Sequence, residues 1–79
     1  MSQAVDVSEL SDTEVESFAQ AVDMFRAAPT SPQRFTPVPV RDEKGKLCEV
    51  RFYKDNSQQA PLGVIRIADD GALTPTGWL

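Results

Sequence analysis

The sequence predicts an α+β domain in which an N-terminal helix packs on one face of a three- to four-stranded antiparallel β-meander. Three observations predict this fold: a helix-capping pattern at residues 11–14, a change to two-residue periodicity from Phe35 onward, and two short turns that contain glycine. We assign residues 10–79 to this single domain and expect residues 1–9 to form a flexible N-terminal arm.

The predicted helix spans residues 12–27. Ser11 and Glu14 have the spacing of a capping box, in which each side chain accepts a hydrogen bond from the backbone N–H of the other residue. Pro29 disfavours a helical conformation at the residue before it, so the helix should end near Ala27. When residues are placed at intervals of about 100°, one side of the helix is apolar and the opposite side is acidic. The apolar side consists of Leu10, Val15, Phe18, Ala21, Val22 and Phe25.

Alternating apolar and polar residues predict two strands, 35–41 and 47–54, joined by a turn at residues 42–45. Aspartate at the first turn position and glycine at the fourth favour a type I turn with a glycine bulge, which pairs Asp42 with Lys46. Continued along the strands, this pairing places Val38 opposite Val50. The hairpin face predicted to meet the helix is then Thr36, Val38, Val40, Cys48, Val50 and Phe52.

The prolines of the first strand predict its place in the sheet. Pro37 and Pro39 are two residues apart, so their missing N–H groups lie on the same side of the strand. That side cannot bind another strand, and we therefore expect the first strand to be an edge. A third strand is predicted at 62–68, and a turn at residues 69–71 leads into a short return strand at 72–74.

The opposite face of the hairpin holds the candidate partner-binding residues, which are Phe35, Arg41, Leu47, Arg51 and Tyr53. One helix covers one face of a sheet, so this second face has no assigned cover. The candidates for covering it are Trp78, a second copy of the chain, a protein partner, or nucleotide bases stacked on the aromatic rings. Arg51 and Tyr53 belong to residue types enriched at interface hot spots, so we expect them at the centre of the patch.

The amino-acid composition limits the kinds of chemistry that this chain can perform. The 79 residues include no histidine and one cysteine, and the formal net charge is −4. Histidine is the usual proton shuttle near neutral pH, and the sequence has no phosphate-binding loop, metal-ligand set or catalytic triad. A lone cysteine cannot form an internal disulfide, and we find no signal peptide or membrane-spanning run. We therefore expect a cytoplasmic, non-catalytic protein without cofactor, metal or membrane association.

The functional prediction is a small binding or regulatory accessory protein that docks a protein partner, or a second copy of itself, through the open sheet face. One alternative is a single-stranded nucleic-acid binder that stacks bases on Phe35 and Tyr53. Its backbone contacts would come from Arg41, Lys44, Lys46 and Arg51. The other alternative is an acidic inhibitor whose helix mimics nucleic acid. The net negative charge weighs against nucleic-acid binding.

Overall fold

The computed structural model describes residues 3–28, 34–54 and 61–76, and in this part of the chain one α-helix packs against a five-stranded antiparallel sheet. The α+β prediction is confirmed, with five strands instead of three to four. Spatial order follows chain order, with β1 at one edge and β5 at the other. The elements are β1 (Gln3–Ala4), α1 (Asp12–Arg26), β2 (Phe35–Arg41), β3 (Leu47–Lys54), β4 (Gly63–Ile67) and β5 (Leu73–Thr76).

Helix α1 begins where the capping box predicts. The Glu14 N–H donates to Ser11 Oγ at 3.3 Å, and the Ser11 N–H donates to Glu14 Oε1 at 2.9 Å. A 3-10 turn at Val7–Glu9 precedes the helix and has a capping box of its own, formed by Asp6 and Glu9. Two consecutive caps satisfy backbone N–H groups that would otherwise have no partner, and they hold the chain in a defined path into α1.

The core lies between α1 and the middle of the sheet. Its central contact is a stack of the Phe25 and Phe52 rings, whose centroids are 4.2 Å apart with an interplanar angle of 2°. Val15, predicted on the apolar side of the helix, is instead 41% exposed. It lies about 80° around the helix from Phe25, which places it at the margin of the covered face. The buried cluster consists of Phe18, Ala21, Phe25, Val50, Phe52 and Ile65.

Both predicted glycine turns are present. The Asp42 N–H donates to the Lys46 carbonyl at 2.8 Å, and Gly45 has a φ of 80°. The turn after β4 has the same form, because the Ala68 N–H donates to the Ala72 carbonyl at 2.9 Å and Gly71 has a φ of 89°. A positive φ is accessible to glycine at little cost, which explains why each turn carries glycine at this position.

The predicted register of the β2–β3 hairpin is wrong by one residue beyond the turn. Val38 lies opposite Arg51 and Val40 lies opposite Glu49, because the register shifts between Val40 and Arg41. Leu47 pairs with Arg41, so Cys48 is an extra residue on β3, as in a β-bulge. Since side chains alternate with a period of two, this single insertion moves every β2 side chain to the other face.

The edge prediction for β2 holds only for part of the strand. Gln3 and Ala4 of β1 pair with Arg41 and Val40, and the Val5 N–H donates to the Pro39 carbonyl at 3.0 Å. The carbonyl of Pro39 therefore points away from β3, and so does the position of its missing N–H. Pairing between β1 and β2 therefore stops at Pro39, which has no N–H to donate. Flexibility of residues 1–9 stays a prediction, although residues 3–9 contain a strand and a 3-10 turn.

Trp78, considered above as a cover for the sheet, lies outside the described residues. Among the residues that the structure describes, no helix is long and apolar enough to span a membrane.

The capping box gives a stability prediction. Replacing Ser11 with alanine removes the acceptor for the Glu14 N–H and should lower the free energy of unfolding by about 1 kcal/mol. Urea denaturation followed by circular dichroism measures this change. Ser8→Ala is the matched control, since the Ser8 side chain makes no hydrogen bond with any residue that the structure describes, and its midpoint should barely move. Equal losses in both variants would contradict the cap assignment.

The bulge gives a prediction for NMR. Because the Pro39 carbonyl points away from β3, Pro39 and Val50 form a non-hydrogen-bonded pair, with Cα atoms about 4.5 Å apart. A strong contact between their Hα protons is therefore expected. A strong contact between the Hα protons of Pro39 and Glu49 would instead support the unbulged hairpin, in which these two residues form the non-hydrogen-bonded pair.

Candidate functional site

The five predicted partner-binding residues divide between the two faces of the sheet. Phe35, Arg41 and Leu47 lie on the face that α1 covers, whereas Arg51 and Tyr53 lie on the opposite face. The prediction that all five share one open face is wrong, because it depended on the unbulged register. The partner-binding role of Arg51 and Tyr53 stays a prediction.

Leu47 is buried, and Phe35 is half-buried and packs against the core. The Phe35 ring meets Phe25 edge-on at 4.8 Å and Phe52 edge-on at 5.6 Å, measured between ring centroids. The Arg26 guanidinium lies 5.8 Å from the same ring. Leu47 is only 4% exposed. Leu47 therefore has little apolar surface left for a partner, whereas Phe35 is half-buried on the helix side of the sheet. A partner-binding role for these two residues stays a prediction.

Arg41 joins three segments of the chain. Its Nη1 donates to Glu14 Oε2 at 2.6 Å and to the Gly45 carbonyl at 2.8 Å. Its Nη2 donates to Glu14 Oε1 at 2.9 Å and to the Glu9 carbonyl at 2.9 Å. This two-pronged pairing matches the planar fork of a guanidinium. Both side chains of the ion pair are 21% exposed, so the Arg41 guanidinium is held within the fold, and its partner-binding role stays a prediction.

We call the sheet surface opposite α1 the outer face. Strand pairing and alternation place Arg51 beside Val38 on one strand and Val64 on the other, with Tyr53 two residues further along β3. Val40 is fully buried between Ala4 and Glu49, whereas Val38, Val64 and Tyr53 are half-buried. The outer face consists of Thr36, Val38, Val40, Glu49, Arg51, Tyr53, Val64, Arg66, Thr74 and Thr76.

Two arginines and one carboxylate set the electrostatics of the outer face. Arg51 Nε donates to Glu49 Oε2 at 2.6 Å, and this hydrogen bond raises the pKa of Arg51, with a smaller contribution from Tyr53 beside it. Arg66 lies directly opposite Glu49 on β4, yet it is exposed and makes no ion pair with any described residue. The outer face therefore has an excess of one positive charge, although the whole chain is acidic.

Prolines restrict strand addition along the part of β2 that β1 leaves unpaired and along the edge strand β5. On β2, Pro37 and Pro39 lack N–H groups on the side away from β3. On β5, Pro75 lies opposite Ile65 in a pair flanked by the Thr74 and Thr76 positions. The pairing of Ala68 with Ala72 makes the positions of Thr74 and Thr76 the hydrogen-bonded ones, so the missing N–H of Pro75 lies at the free edge. Docking on a face is thus less hindered than strand addition.

Cys48 lacks the environment of a nucleophile. Its Sγ lies 3.5 Å from the Val40 carbonyl, and burial raises the pKa of the thiol, with the nearby Glu49 acting in the same direction. A raised pKa keeps the thiol protonated near neutral pH, whereas nucleophilic attack requires the thiolate. Cys48 lies at the bulge and not in the helix-facing core, which corrects its predicted position.

A groove between the start of α1 and the two glycine turns is small. Its volume is about 160 Å³, and an ion pair between Lys46 and Asp69, 2.8 Å long, lies in its lining. Ligand pockets usually enclose about 300–1,000 Å³. Among the described residues, no three His, Cys, Asp or Glu side chains are arranged to hold a metal ion. The outer face is therefore the better candidate site.

Sequence reasoning missed Arg66 and Val64 as members of the outer face. Strand β4 alternates Ile65 and Ile67 with Val64 and Arg66, and this pattern indicates which pair turns away from the helix. No known protein family, characterised protein or solved structure matches this chain. The assignment of the outer face as the candidate site is therefore supported by its geometry and charge alone.

The Glu14–Arg41 pair predicts a pH dependence of stability. Hydrogen bonding from Arg41 holds the pKa of the Glu14 carboxyl below its ordinary value of 4.5. The unfolded chain thus binds a proton at Glu14 more readily than the folded chain does. The stabilisation is fully present above the unfolded pKa and is lost as pH falls through the folded pKa.

Glu14→Gln removes this titration. Relative to wild type, the variant should be less stable near neutral pH, and the difference should shrink on acidification to about pH 3. Urea denaturation across this range measures both curves. Parallel curves for the two proteins would show that Glu14 has no such linkage.

Proposed function

We propose that this protein is a small non-catalytic binding or regulatory accessory protein that docks a macromolecular partner through the outer face. The main support is the unequal covering of the sheet: α1 packs on one face, and the described part of the chain places no other helix or strand on the outer face. Val38, Val64 and Tyr53 keep part of their surface exposed there beside Arg51. Half-buried apolar side chains next to arginine are typical of protein interfaces.

A protein is the favoured partner class. Arg51, Arg66 and Tyr53 on one face are also compatible with single-stranded nucleic acid. However, Phe35, the second ring expected to stack on bases, packs against the core on the other face of the sheet, and the net charge of −4 opposes attraction to phosphates. We place the protein in the cytoplasm, because one half-buried thiol suits a reducing compartment.

A double substitution tests the proposed site. Arg51→Glu with Tyr53→Ala reverses a charge and removes an aromatic side chain on the outer face, while neither residue contacts α1 in the described structure. Binding to the partner should be lost, because the cost of losing such anchors is commonly about 2 kcal/mol or more, a decrease in affinity of about 30-fold. The measurement is a pull-down from native extract with tagged wild type and variant.

Lys44→Glu is the matched control, since it reverses the charge of an exposed turn residue away from the outer face. Circular dichroism and thermal melting should show that all three proteins are folded. Retained binding by the folded double variant would contradict the proposal. Loss of the captured material after nuclease treatment would favour the nucleic-acid alternative. Unfolding of the double variant would show that the chain itself depends on these residues.

A further inference from the structure

The solvent side of α1 carries an acidic stripe, formed by Asp12, Glu16 and Asp23, with Ala19 between the last two. These residues are spaced at four, three and four positions, which keeps them on one side of the helix, opposite the Phe18–Phe25 side. All four are exposed, and none of the three carboxylates forms an ion pair with a described residue. The molecule thus presents negative charge on its helix side and an excess positive charge on its outer face.

The spacing of the charges on these two surfaces matches. Arg51 lies opposite Val64, and Arg66 is two residues further along β4, so the two arginines are diagonal neighbours at about 7–8 Å. Asp12 and Glu16 are one helical turn apart, with Cβ atoms about 5–6 Å apart. Long arginine side chains can span the small difference. Ala19 is small enough to let a helix approach the half-buried side chains of Val38 and Val64.

We propose that the outer face of one copy binds the acidic stripe of a second copy, an inference that rests on the proposed docking role of that face. A symmetric contact between two outer faces would bring two positive surfaces together, and the prolines of β2 and β5 hinder edge-to-edge pairing of these strands. The helix-to-sheet contact opposes unlike charges. It is a head-to-tail contact, so each copy can bind one neighbour through its helix and another through its sheet.

The net charge of −4 on each copy opposes association at long range. At an ionic strength of about 0.15 M the screening length is about 8 Å, so charges that meet at the contact outweigh those on the far side. The result is a weak association that grows with protein concentration.

Two single substitutions separate the two halves of this contact. Arg66→Glu disables the outer face and leaves the acidic stripe intact, whereas Glu16→Lys disables the stripe and leaves the outer face intact. Both residues are exposed, so both variants should fold, as circular dichroism will check. Glu16→Lys also lowers the net negative charge, so any effect of net charge alone would strengthen association in this variant.

Sedimentation velocity up to about 1 mM protein provides the measurement. Wild type and the control Lys44→Glu should increase in average mass with concentration, and each variant alone should remain monomeric. An equal mixture of Arg66→Glu and Glu16→Lys should form a one-to-one dimer and nothing larger, because only one complementary contact remains. Monomeric wild type, self-association of either variant, or a mixture that stays monomeric would overturn the proposal.

If wild type is monomeric while the pull-down still depends on Arg51 and Tyr53, the docking function stands and only the second copy is excluded as its partner.

Discussion

The guanidinium of Arg41 is the constraint on which the arrangement of this domain depends. Its four hydrogen bonds reach the carboxylate of Glu14 and the backbone carbonyls of Glu9 and Gly45. Glu14 also caps the start of α1. One cation therefore ties the 3-10 turn, the first turn of the helix and the β2–β3 turn to one another. Because Arg41 must face α1 to make these bonds, the odd-numbered residues of β2 face the helix as well, and the outer face receives Val38 and Val40.

Local chemistry made most of the fold predictable. The capping box located the start of α1, and glycines at positive φ located both turns, because each of these needs particular residue types at fixed spacing. The bulge at Cys48 does not require particular residue types, so the sequence did not predict it. The orientation of strand β2 was also ambiguous from the sequence. Its even-numbered positions include two valines, and its odd-numbered positions include Phe35 and two prolines, so either set could face the helix. Packing of Phe35 against Phe25 and Phe52, with Arg41 on the same side, favours the arrangement in which the odd-numbered positions face the helix.

The candidate site was predictable only where it depended on one strand. Alternation within β3 correctly separated Val50 and Phe52 from Arg51 and Tyr53, because that separation needs no cross-strand register. Predicting which residues of β2 and β4 share that face did require the cross-strand register. The bulge removed Phe35 from the predicted surface, and β4 brought Arg66 opposite Glu49. The resulting surface has one aromatic ring instead of two and keeps two arginines beside Glu49, which favours docking of an acidic protein surface over stacking of bases.

The central claim is that Arg41 belongs to the interior framework of the fold and Arg51 to its exposed surface, although both lie in one hairpin. The most direct test is to compare the free energies of unfolding of Arg41→Met and Arg51→Met by urea denaturation near neutral pH. Arg41→Met removes all four framework hydrogen bonds and leaves the Glu14 carboxylate without its partner, so a large loss of stability is expected. Arg51→Met should have a much smaller effect, because Arg66 lies opposite Glu49 and can replace the lost partner. Equal losses, or a greater loss for Arg51→Met, would contradict the assignment of the two arginines to opposite faces.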